Sequence, residues 1–206
     1  MEKENQYLRL GVYGGTFSPP HLGHIHAAEV FLSQGGIDSL LIIPTHQTPM
    51  KEREESTSPE HRLAMCRLAF SFSPYITVSD IEVRRGGKSY TAETLTELSA
   101  PGVRLSYLCG TDMLLSMGRW YRPQVIFDLA DIVCMRRECD MQMTQKLLEA
   151  TEEYRTKYGA RVRFLDAEPM QLSSTDVRRL VSEGKDLRKY LSADVYEYIK
   201  EKGLYV

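Results

Sequence analysis

The stretch Leu8-Arg9-Leu10-Gly11-Val12-Tyr13-Gly14-Gly15-Thr16-Phe17-Ser18-Pro19-Pro20-His21-Leu22-Gly23-His24 decides the fold. Leu8 to Tyr13 reads as a strand that ends at Gly14-Gly15. From Leu22 to Ser33 the apolar residues Leu22, Ile25, Ala28 and Leu32 fall on one face, which is helical spacing. Two glycines after a strand let a ligand approach the backbone closely. The following helix points free N–H groups and the positive end of its dipole at the same space, so the expected guest is an anion such as phosphate. His21 and His24 are three apart and share a face of a helical turn. Imidazoles there can donate hydrogen bonds to phosphate oxygens, more strongly when protonated.

The alternation continues along the chain. Gly35-Gly36 closes the first helix, and Ser39 to Ile43 reads as a short buried strand stopped by Pro44. After a polar loop from Thr45 to Thr57, Ser58 caps a helix that has Pro59 in its first turn. Further strands are expected at Tyr75–Ser79, Arg104–Cys109, Asp131–Met135 and Arg161–Leu165. Helices are expected at Thr91–Leu98, Met113–Met117, Pro123–Leu129, Met141–Tyr158, Ser174–Glu183 and Ala193–Lys202. Such alternation implies parallel strands with helical crossovers, hence a doubly wound α/β fold. With no repeat, low-complexity stretch or linker, residues 1–206 read as a single domain behind a short polar extension, 1–6. Ligands bind such sheets beyond the carboxyl ends of the strands, which is where Gly14 to His24 falls.

Bulk properties exclude several classes. With 206 residues and 42% hydrophobic content, the chain is long enough for one sizeable core. A net charge of -2 does not fit the broad basic surface of a nucleic-acid binder. Met1 to Gln6 is charged and polar, unlike a signal or transit peptide, and no apolar run approaches the ~20 residues of a membrane span. A cytoplasmic protein with no membrane partner is expected. Cys66, Cys109, Cys134 and Cys139 match no common zinc spacing and read as reduced, structural thiols. His21, His24 and His26 raise the question of a metal cluster. No nearby Cys or acidic residue completes one, and His26 points elsewhere on the helix, so no residue is assigned as a metal ligand.

A second segment, Leu172-Ser173-Ser174-Thr175-Asp176-Val177-Arg178, reads as a helix start dressed with hydroxyls and an arginine. Hydroxyls there cap free N–H groups, spare N–H groups bind anions, and Arg178 can hold a phosphate bidentately. Alone, such a segment is usually only a cap. Paired with the first motif, it points to a nucleoside triphosphate held for attack at phosphorus.

Gly15-Thr16-Phe17, Pro19, His21, Gly23 and His24 resemble the Gly-Thr-Phe-Asp-Pro…His-x-Gly-His signature of the nucleotidyltransferase superfamily, with Ser18 where Asp is usual. Ser173-Ser174-Thr175 with Arg178 resembles the family's Ser-Ser-Thr-x-x-Arg element. Ser89-Tyr90-Thr91, Gly110-Thr111-Asp112, Trp120, Pro49-Met50-Lys51 and the ending Gly203-Leu204-Tyr205 are similar to elements of bacterial nicotinate-nucleotide adenylyltransferases, with Met50 replacing a histidine. The resemblance covers nearly the whole chain. It implies a Rossmann-like nucleotidyltransferase domain that transfers the adenylyl group of ATP to nicotinate mononucleotide, giving deamido-NAD and pyrophosphate.

The implied catalytic residues are His21, His24 and Arg178. The implied ATP site comprises Gly14, Gly15, Thr16, Phe17, His21, Gly23, His24, Gly110, Asp112, Ser173, Ser174, Thr175 and Arg178. Asp112 would hold the ribose or organise the water shell of Mg2+ carried with ATP, and the sequence does not choose. The implied mononucleotide site comprises Gly15, Thr16, Lys51, Tyr90, Thr91 and Trp120, with the indole stacked on the pyridine ring and N–H groups at the Tyr90-Thr91 helix start facing its carboxylate. Two other readings stand beside this one. A sister adenylyltransferase acting on phosphopantetheine would share both terminal motifs but lack the Ser-Tyr-Thr and Trp arrangement. A non-catalytic nucleotide-binding protein has only Ser18 and Met50 in its favour. Pyridine preference, oligomeric state and the role of Arg136 are left open by the sequence.

Overall fold

In the computed structural model of the protein, residues 7–49, 57–136, 141–165, 170 and 172–206 are described. Six strands form one parallel sheet: β1 (Leu8–Gly15), β2 (Ser39–Pro44), β3 (Ile76–Val78), β4 (Val103–Gly110), β5 (Ala130–Met135) and β6 (Val162–Leu165). Their order is β3-β2-β1-β4-β5-β6, so the winding reverses at β1. The helices are α1 (Leu22–Gln34), α2 (Pro59–Ala69), α3 (Ile81–Arg85), α4 (Thr91–Leu98), α5 (Thr111–Ser116), α6 (Pro123–Leu129), α7 (Met141–Tyr158), α8 (Ser174–Ser182) and α9 (Ala193–Lys202). No helix among the described residues is long and apolar enough to cross a membrane.

By internal contacts the chain divides into two compact units. The first comprises the described residues of Met1–Tyr13, Val30–Leu40 and Tyr90–Pro169. Here Leu8 to Val12 pair with Val103 to Tyr107, Leu105 to Gly110 pair with Ala130 to Met135, and Ile132 to Met135 pair with Val162 to Leu165. The pleat puts Leu105, Tyr107, Leu108, Ile132 and Val133 in the core, with Ile126 and Phe127 of α6. Cys109 and Cys134 are register partners and free thiols. The hydrogen bond to Cys134, then burial, pushes the Cys109 thiol well up, so that thiol is inert packing. The polar helix α7 is held by Tyr154, whose hydroxyl accepts from Gly118 N–H and donates to Leu114 C=O, both at 3.0 Å.

The second unit comprises the described residues of Gly14–Glu29, Leu41–Ser89 and Met170–Val206. Ser58 caps α2 by accepting from the His61 N–H at 3.4 Å, and Pro59 fills the first helical position, where a missing N–H costs nothing. The inward stripe of α2 is Arg62, Met65, Cys66 and Ala69, a regular i, i+3, i+4, i+7 set. Gly203 closes α9 in the left-handed conformation, φ 59°. The helix α3 was not anticipated, because five residues are too few to show a period. The remaining boundaries differ from the sequence reading by up to two residues, the usual uncertainty of fraying ends.

Candidate active site

The turn after β1 is built from the inside. Phe17 takes a left-handed backbone, φ 49°, and its ring is 2% exposed. A Cβ at Gly15 would stand 3.1 Å from that ring, so glycine lets the turn fold flat over it. The ring meets His24 edge-on at 5.0 Å and Phe70 at 5.8 Å. Phe17 is therefore a core plug against His24 and Phe70, its ring withdrawn from the surface.

His21 and His24 lie together, rings stacked with centroids 3.7 Å apart. The His21 backbone N–H donates to Nδ1 of His24 at 3.1 Å. A backbone N–H can only donate, so Nδ1 must be the acceptor and the proton sits on Nε2. His24 thus presents Nε2–H as a donor in its neutral form. The start of α1 differs from expectation. Of the helix-start N–H groups expected to face an anion, that of Leu22 donates to Tyr190 C=O at 2.9 Å and that of His24 to His21 C=O at 2.8 Å. Two N–H groups of this first turn are therefore already paired with backbone carbonyls.

Gly23 lies under the His21 ring, and a Cβ there would stand 3.1 Å from both Cε1 and Nδ1. Gly23→Ala is expected to tilt the His21 ring and reduce kcat by about tenfold, while a thermal melt shifts little. An unchanged kcat would show that the ring has room to give.

The C-terminal motif is latched to this turn. Ser173 caps α8, accepting from the Asp176 N–H at 3.1 Å, and its own hydroxyl donates to the Asp176 carboxylate. That bond holds the exposed Asp176 carboxyl below its usual range. Ser174 Oγ donates to Pro19 C=O at 2.9 Å. Arg178 donates from Nη1 to Ser18 C=O at 2.7 Å and from Nη2 to Thr175 Oγ1 at 3.1 Å. The guanidinium is half-buried and carries five N–H donors, so it can hold the turn and still offer donors to an anion. Thr175 itself is exposed.

Ser18, where the family usually has Asp, is 1% exposed. Its hydroxyl stands 3.3 Å from the Tyr205 hydroxyl. Burial pushes the Tyr205 phenol up, partly opposed by its contacts with Ser18 and Thr57 and by the charges of Arg62 and Arg178. A neutral hydroxyl pair thus occupies a place where a carboxylate would have faced those cations. Thr16 hydrogen-bonds Thr48 between hydroxyls at 3.0 Å. His46 donates from its N–H to Ser89 Oγ at 2.9 Å, and its Nδ1 donates to Gly87 C=O at 3.0 Å. Ser89 is thereby occupied in holding the segment after β2. Lys51 and Met50 lie outside the described residues.

In the first unit, Gly110 ends β4 and caps α5, and Asp112 is exposed in the first turn of α5. Tyr90 occupies the N-cap position of α4 and Thr91 its first turn, where N–H groups lack intrahelical partners. Trp120 is half-buried, donates from Nε1 to Ser116 Oγ at 3.1 Å, and meets Tyr107 edge-on at 6.3 Å. The indole is therefore fixed in orientation. Next to it, Tyr121 packs on Tyr90 with centroids 4.5 Å apart and is 49% exposed. Tyr90 belongs to the quoted Ser-Tyr-Thr element, whereas Tyr121, one position after Trp120, carries no signal of its own in the sequence. Arg136 is half-buried just past β5. Among the described residues, no group of three His, Cys, Asp or Glu side chains is arranged to hold a metal ion.

The family model described as cytidylyltransferase-like matches residues 12–180, which sets the class. A probable nicotinate-nucleotide adenylyltransferase of Lachnoclostridium phytofermentans is 35% identical, covering 96% of this chain and 99% of its own. One from Symbiobacterium thermophilum is 36% identical, covering 96% and 95%. The chain belongs to the nicotinate-nucleotide adenylyltransferase family within the cytidylyltransferase-like class. Its fold is shared with Plasmodium falciparum nicotinic acid mononucleotide adenylyltransferase complexed with NaAD, at TM-score 0.73 and 17% identity over 96% of this chain and 97% of that one.

Proposed function

We propose that this protein transfers the adenylyl group of ATP to nicotinate mononucleotide, giving deamido-NAD and pyrophosphate, in NAD biosynthesis. The observation that carries the reading is the latch of Ser174 and Arg178 onto the carbonyls of Pro19 and Ser18, which gathers the stacked histidines and the arginine at one turn. The names of the full-length relatives supply the acceptor.

The acceptor's phosphate is an anion near neutral pH. Its oxygen attacks the α-phosphorus in line, one P–O bond forms, the bond to the β-phosphate oxygen breaks, and pyrophosphate leaves. No proton has to move to a protein base. Catalysis is then positioning and charge neutralisation. His24 donates Nε2–H to a phosphate oxygen, His21 stacks behind it, and the unused donors of Arg178 stabilise charge gathering on the leaving group. Gly14, Gly15, Thr16, Phe17 and Gly23 offer backbone to the nucleotide. Magnesium arrives as part of the ATP complex. Asp112 serves the ribose or the metal's water shell. Trp120 and the Tyr90-Thr91 helix start take the pyridine ring and its carboxylate, with Lys51 toward the mononucleotide phosphate. The work of the protein is in the cytoplasm, with ATP and the mononucleotide as its partners.

The test is pyrophosphate release from magnesium–ATP with nicotinate mononucleotide, nicotinamide mononucleotide or phosphopantetheine as acceptor. Strong release with nicotinate mononucleotide is expected. Release only with phosphopantetheine would transfer the protein to the sister activity. ATP binding with no release from any acceptor would refute an enzymatic role.

A further inference from the structure

Arg62 is fully buried, and the reaction described above gives it no part. Its guanidinium reaches three backbone carbonyls from three segments. Nη1 donates to Thr16 C=O at 2.8 Å, Nη2 to His46 C=O at 2.8 Å, and Nε to Thr57 C=O at 3.3 Å. Thr16 belongs to the nucleotide turn. His46 belongs to the segment after β2 that is bonded to Gly87 and Ser89, just ahead of Tyr90-Thr91. Thr57 precedes α2. A charge brought into the interior is tolerated only where hydrogen bonds replace its water, and carbonyls held by separate segments do that only when all three segments are in place. The planar fork fixes their spacing, which a lysine ammonium on a flexible stem does not.

We propose that Arg62 is a positioning residue of the reaction: it sets the ATP-side turn at Thr16 in register with the acceptor-side segment at His46. Arg62 touches neither substrate. It acts through the two carbonyls, so its loss is felt by both substrates at once. A residue that serves one substrate alone changes the KM of that substrate.

This proposal rests on the adenylyltransferase reading for its acceptor half, and the test separates the two. Arg62→Lys and Arg62→Gln are compared with the parent chain by thermal melt, by calorimetric titration with magnesium–ATP without acceptor, and by steady-state release of pyrophosphate. Arg62→Lys is expected to stay folded, to bind ATP about tenfold more weakly, to raise KM for both ATP and nicotinate mononucleotide, and to lower kcat by about 10–100-fold. Arg62→Gln, which keeps two N–H donors without charge, is expected to follow the same pattern. A folded Arg62→Lys chain with ATP affinity and both KM values within twofold of the parent would overturn the proposal, as would collapse of both variants, since Arg62 would then serve the fold alone. If the parent releases no pyrophosphate with any acceptor, the functional reading fails while the ATP titration still decides on Thr16. No ATP binding by the parent would sink both.

Discussion

Replacing His24 by alanine is expected to lower kcat by about 10²–10³-fold, the effect of removing one preorganised donor, ~2.7–4 kcal/mol of transition-state stabilisation. The size follows from how the ring is held. The His21 N–H fixes the tautomer, the stacked His21 ring and the Phe17 edge fix the plane, and the proposed reaction assigns Nε2–H to charge on the phosphates. None of this cost is incurred during the reaction, so the whole bond counts toward the rate. The fold should survive, because His24 is only half-buried and the plug beneath it is Phe17. His24→Gln, whose amide still donates, should recover part of the loss. Pyrophosphate release and a thermal melt on the same samples check this, and turnover by His24→Ala within threefold of the parent would end the assignment.

Arg178→Ala is expected to reduce both rate and stability, which separates it from His24→Ala. The carbonyl of buried Ser18 loses its 2.7 Å donor. A buried acceptor left unpaired costs about 1–3 kcal/mol, and ~1 kcal/mol shifts Tm by roughly 2–4 °C in a chain of this size. The donors that the proposed reaction assigns to phosphate are lost as well, so kcat/KM should fall by about 10³-fold. Arg178→Lys discriminates between the two effects. An ammonium can satisfy the Ser18 carbonyl or a phosphate oxygen, but it cannot span both as a planar fork does. Tm should recover further than kcat/KM. Full recovery of kcat/KM by lysine would show that charge alone is needed and that the fork geometry is idle.

The parts of this protein legible in the sequence are those governed by local rules. β1 followed by two glycines, Ser58 with Pro59, and Ser173 three before Asp176 each carry their own signal, and the helices at Thr91, Pro123, Met141 and Ala193 begin and end where the pattern puts them. The doubly wound class follows from the alternation. What escaped depends on partners distant in sequence. Nothing local says that Leu22 N–H meets Tyr190, that Ser174 reaches Pro19, or that Ser18 meets Tyr205. Arg62 falls on the same stripe as Met65, Cys66 and Ala69, although arginines are rarely buried. A cation in an apolar stripe is a signal that the spacing alone could have raised. Trp120 was found by resemblance, whereas Tyr121 lay one position away and is the more exposed ring against Tyr90.

The latch between Arg178 and Ser18 joins positions 160 apart, and Ser18 meets a residue 187 positions downstream. At synthesis rates of ~5–20 residues per second, a ribosome needs about 8–32 s to make the intervening 160 residues. Throughout that interval the first motif exists without its arginine or its serine. Until α8 emerges, the turn after β1 has neither the Arg178 donor at the Ser18 carbonyl nor the Ser174 donor at the Pro19 carbonyl, so its finished geometry is a late event in synthesis.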